Sequence, residues 1–138
     1  MVQMQIAYEG NLRTTIVHEP SGARLITDAP KDNQGEGQSF SPTDLVASAL
    51  GSCMLTIMGI AARNFKIDLA GATVRVQKEM VTSPIRRIGK LTVDITVPGK
   101  TTVEQQHKLR DAAMHCPVHK SLHPDVQTPV TFHFAPEE

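Results

Sequence analysis

Alternation of apolar and polar positions opens the chain and closes it, and a different period fills the middle. Met4 to Tyr8 alternates, as does Arg13 to Val17 after a turn around Gly10. Pro20-Ser21-Gly22 makes a second turn before a third short strand, Ala23 to Thr27. A period of two bounded by turn residues predicts three strands in an antiparallel meander. Ala29 to Ser39 is polar, glycine-bearing and aperiodic, which predicts a loop. From Ser41 to about Asn64 the period lengthens. Leu45, Ala49, Cys53, Ile57 and Ala61 recur every fourth residue, with Val46, Leu50, Met54 and Met58 as a second row beside them. Two adjacent rows make an apolar face wider than a surface helix needs. Small residues on the other side, such as Gly51 and Gly59, admit a neighbouring backbone. Ser41 suits the N-cap, Pro42 the first helical position, and Asp44 the positive end of the helix dipole. This is a central helix, covered on most sides, with a thiol at its middle.

Beyond it, Ala72 to Met80 and Leu91 to Val97 alternate again, joined by a hairpin tip with Arg86 and Arg87 exposed and stopped by Pro98-Gly99. Thr101 or Thr102 caps a second helix, with Glu104 and Gln105 three residues on. Leu109, Ala112, Ala113 and Cys116 trace its apolar face, and Pro117 ends it. A short third helix over PVHKSLH and a last strand through Val130, Phe132 and Phe134 complete the order βββ-α-ββ-α-α-β. Strands grouped apart from helices predict an α+β fold in one domain, 1–138.

The totals narrow the function classes. Fourteen basic residues balance fourteen acidic ones, so no global field draws nucleic acid or an anionic membrane. No apolar run is read as approaching the ~18 residues of a membrane span. The start MVQMQIAYEG lacks the basic and apolar parts of a signal peptide. Two cysteines without export signals imply a reducing compartment, with the cytoplasm as the expectation. With four Phe, one Tyr and no Trp, one copy has little bulk to cover so apolar a helix, which predicts a homodimer.

Chemistry has four candidate seats. Cys53 lies ~18 Å from the free amides of its helix, too far for the dipole to activate it; it is a packing residue unless an external cation serves it, and Arg13 is the candidate. Cys116, if Pro117 opens a helix, takes the N-cap, where free amides favour a thiolate; by that argument it is the better-activated thiol. His115, Cys116, His119 and His123 hold a usable ligand pair in His119 and His123, but no second cluster completes a metal site. Ser52 in GSCM lacks the G-x-S-x-G frame of a hydrolase nucleophile. Apart from these four, the G-E-G at 35–37 resembles half of a phosphate-cradling loop, without its third glycine or a strand ending just before it, and is a weak signal.

SFSPTDLVASALGSCM, followed 63 residues after its cysteine by HCPVHKSL, resembles the OsmC/Ohr family of thiol peroxidases, in its OsmC-like branch. YEGNLR and PSGARLITDAP resemble the family's first strands, so the likeness spans nearly the whole chain. The resemblance implies an intertwined homodimer with antiparallel sheets around the long helix and no cofactor. It implies that Cys53 is the peroxidatic thiol, Cys116 the resolving one and Arg13 the guanidinium that steadies the thiolate. Organic hydroperoxides are the implied substrates, and an external dithiol, in some members a lipoylated protein, the reductant. The family's acid after the proline is here Thr43, with Asp44 one step on, and Asp44 then reads as a cap. The contrasting expectation is a non-catalytic dimer that binds a small apolar ligand between its central helices.

Overall fold

A computed structural model describes residues 1–136. Ten elements follow one another: β1 (Met4–Gly10), β2 (Arg13–His18), β3 (Arg24–Asp28), a single 3-10 turn (Lys31–Asn33), α1 (Pro42–Phe65), β4 (Thr73–Val81), β5 (Arg87–Val97), α2 (Val103–Ala113), α3 (Pro117–Ser121) and β6 (Val130–Phe134). The α+β order is the expected one. They form two compact units, Met1–Val46 and the chain from Ala47 onward.

The first unit is the antiparallel meander β1-β2-β3. Asn11 and Leu12 both take positive φ, 54° and 62°, and make the two-residue link between β1 and β2. Such a link matches the twist of paired strands. The turn therefore falls after Gly10 rather than around it. The register sets Ile6 opposite Ile16 and Ile16 opposite Leu25. Most of that apolar face is uncovered: Ile6 is 57 % exposed, Met4 55 % and Tyr8 68 %. After β3 the loop closes on the strand, with the Asp28 amide donating to the Phe40 carbonyl at 2.9 Å. Ser41 then caps α1. Its hydroxyl accepts from the Asp44 amide at 3.1 Å, and Asp44 Oδ2 accepts from the Ser41 amide at 2.9 Å. This reciprocal pair satisfies two donors at the helix start.

The second unit holds the apolar core. Leu50, Met54 and Met58 of α1 are fully buried and share one cluster with Leu91, Val93 and Ile95 of β5 and Leu109 and Ala113 of α2. Gly51 lets α1 approach β4. A Cβ there would meet Val76 at 2.9 Å and Val74 at 3.1 Å, tighter than side chains tolerate. By length and composition α1 is apolar enough to cross a membrane, against the sequence expectation. Small residues such as Ser48, Ser52 and Thr56 interrupt the apolar run without making the helix polar. Its buried row of Leu50, Met54 and Met58 seats it in a protein core.

Two boundaries and one strand direction differ from expectation. β5 begins at Arg87, so Arg87 is a half-buried strand residue whose Nη1 donates to the Ile88 carbonyl, and Arg86 alone of the two is exposed. α2 ends at Ala113, before Pro117, with a Thr102–Gln105 capping box at its start. The second sheet, β4-β5-β6, is mixed, because β6 runs parallel to β5. Two helices intervene between those strands, and a helical crossover returns the chain in the same direction.

Candidate active site

Cys116 stands where two helices meet, at 0 % exposure. It is the N-cap of α3, and its sulfur accepts from the His119 amide at 3.4 Å. Pro117 fits the first helical position, so the junction follows from the local sequence. Cys53, in the fourth turn of α1, is half-buried and packs against the cluster that contains Cys116. Both thiols are free, and they lie near enough for Cys53 to act on the titration of Cys116. Residues 63 apart in the chain are thus brought into one cluster within one unit.

The electrostatics overturn one expectation. Cys116 is not the activated thiol: its pKa is raised, first by burial, then by the neighbouring Cys53 thiol. The His119 and Val118 amides pull the other way and are outweighed. A short helix supplies only a few amides, whereas burial penalises the thiolate whatever the cap provides. Cys116 therefore holds its proton more firmly than an ordinary thiol.

Arg13 lies in the first unit, between two carboxylates. Its Nη2 donates to Glu36 Oε2 at 2.8 Å, and its Nε is 3.6 Å from Asp28 Oδ2. Register places Arg13 directly opposite Asp28. Asp28, 1 % exposed, also accepts from the Gln38 amide at 3.0 Å. Sequence reasoning missed both acids. Asp28 was within reach, because the tight turn between His18 and Ala23 fixes the register of β3 against β2 and so sets Asp28 opposite Arg13. Glu36 left no trace, since a loop has no period. Asp44 serves the helix cap, as read from the sequence.

The histidines serve different partners. His119 Nε2 lies 2.9 Å from Thr128 Oγ1, and His123 Nδ1 accepts from the Asp125 amide at 3.0 Å. Among the described residues, no three metal-binding side chains gather into a site.

An α+β fold with a long central helix and a cysteine pair at its side defines a class of small dithiol proteins. The OsmC family model, described as OsmC-like protein, matches residues 35–131, and the chain belongs to that family. A solved structure of a protein named for osmotic stress induction and a detoxification response, from Psychrobacter arcticus 273-4, is 46 % identical; the match covers 96 % of each chain with a TM-score of 0.91. The fold is also shared with an organic hydroperoxide resistance protein OsmC of Legionella pneumophila (16 % identity, 96 % of each chain, TM-score 0.77). An OsmC-like protein of Mycoplasma pneumoniae is similar as well (14 % identity, 99 % of this chain and 98 % of that one, TM-score 0.83). No curated protein matches the chain.

Proposed function

We propose that the chain is a cysteine-based peroxidase that reduces organic hydroperoxides, with Cys53 as peroxidatic and Cys116 as resolving thiol. The observation that carries this reading is that two free thiols, 63 residues apart in the chain, share one apolar cluster and lie near enough to influence each other's ionisation. The Cys53 thiolate attacks one oxygen of the O–O bond. An S–O bond forms, the O–O bond breaks, and the departing alkoxide takes up a proton to leave as the alcohol. Cys53 is left a sulfenic acid, two electrons more oxidised. Cys116 sulfur then attacks that sulfur, the S–S bond forms, and hydroxide leaves. The proton that burial keeps on Cys116 is the one this hydroxide needs to depart as water. An external dithiol, such as a lipoylated protein, returns both thiols by two exchange steps.

Arg13 is assigned, from the family motif, the guanidinium that favours the thiolate of Cys53. The exposed Met4, Ile6 and Tyr8 face supports a homodimer, since a patch of this kind marks an interaction surface. We take the whole chain as one functional domain and the cytoplasm as its compartment, where a dithiol reductant keeps such a pair reduced. Mass spectrometry after one equivalent of cumene hydroperoxide tests the chemistry. An intramolecular Cys53–Cys116 bridge is expected; two free thiols, or separately overoxidised ones, sink the assignment.

A further inference from the structure

The G-E-G at 35–37 lies in the loop between β3 and α1, and its two glycines are fixed by the backbone around them. Gly35 sits against the Ala29 backbone, where a Cβ would overlap the carbonyl oxygen at 1.8 Å. Gly37 has φ +64°, a conformation that favours glycine, and its amide donates to the same carbonyl at 3.1 Å. The Gly35 amide donates to the Pro30 carbonyl at 2.9 Å. Two glycines thus pin the loop on either side of Glu36, whose carboxylate reaches Arg13 at 2.8 Å. Asp28 holds the same guanidinium from below. Its Oδ1 is buried with no partner of its own, so the carboxylate's remaining demand for donors falls on Arg13 and the Gln38 amide.

We infer that Glu36 and Asp28 are positioning residues for Arg13, the loop existing to clamp a guanidinium from two sides. This rests on the role given to Arg13 above. A long arginine side chain loses much rotamer freedom when fixed, and two carboxylates from separate segments, one buried and one on a pinned loop, hold it in place.

Positioning and simple neutralisation predict opposite signs, which makes the idea testable without turnover. The pH midpoint of Cys53 alkylation by iodoacetamide is measured in a Cys116→Ser background. Glu36 is 70 % exposed, so Glu36→Ala leaves the fold intact. If Glu36 positions Arg13, its loss moves the midpoint up by about one unit, and in the Cys116-containing protein slows the reaction with hydroperoxide at neutral pH about tenfold. Arg13→Gln moves both the same way, and Glu36→Asp recovers part of the loss. Asp28→Asn follows Glu36→Ala. A midpoint in Glu36→Ala that stays put or moves down, while Arg13→Gln moves it up, overturns the clamp alone. An unmoved midpoint in Arg13→Gln overturns the role of Arg13 and the clamp with it.

Discussion

The two units solve the burial of a three-stranded sheet in different ways. The sheet β4-β5-β6 packs on α1 and α2, and all thirteen buried apolar residues lie in that unit. The meander β1-β2-β3 buries Thr27 and Asp28 and leaves Met4, Ile6, Tyr8 and Ile26 more than half exposed. One unit is organised by apolar packing, the other by polar contacts around a salt-bridged arginine. The packed unit holds the two sulfurs, and the meander holds the salt-bridged arginine together with an uncovered apolar face.

Cys53→Ser gives the largest expected effect. Hydroperoxide consumption with a dithiol reductant falls to background while circular dichroism stays unchanged, because the substitution swaps one half-buried atom. Wild-type turnover in that variant would show that the packed unit has no catalytic task. Next, Ile6→Lys on the open face converts a dimer into a monomer by light scattering; an unchanged mass would show that the meander is not the interface. In the packed unit, Met54→Ala removes a fully buried side chain and costs about 2–5 kcal/mol in urea unfolding. A cost below ~1 kcal/mol would show a core less tightly filled than the contacts imply. Thr102→Ala removes the capping box of α2 for about 1 kcal/mol, measured the same way.

The smallest effect is alkaline. The pKa of Cys116 is higher folded than unfolded, so the folded state binds the proton more tightly. The stability this confers is complete below the ordinary thiol pKa of ~8.5 and declines as pH rises from there through the folded value. Cys116→Ser should lack that decline. A wild-type chain with equal stability on both sides of the window would mean that burial does not raise the pKa of Cys116.

Every strand and α-helix was legible in the sequence because periods of two and of four and turn residues are local properties, and so were the caps at Ser41 and at Thr101 or Thr102; the 3-10 turn at Lys31–Asn33, inside an aperiodic stretch, was not. The two cysteines were legible as a pair only through resemblance to a known family, since no local pattern reports a contact across 63 residues. The direction of the Cys116 shift was misread for the same reason. The amides of an N-cap are visible in the sequence, whereas burial depends on which distant side chains close over the sulfur.

The order of residues by itself determined the α+β class, the central helix and its start, and the candidate thiols, all consequences of side-chain pattern within a few turns. Tertiary structure alone decided that β6 lies parallel to β5, that Cys116 keeps its proton beside Cys53, and that Arg13 is held by Asp28 and Glu36. Each of those depends on which segments meet in space, and hydrogen bonds, burial and charge act only on groups that have already been brought together.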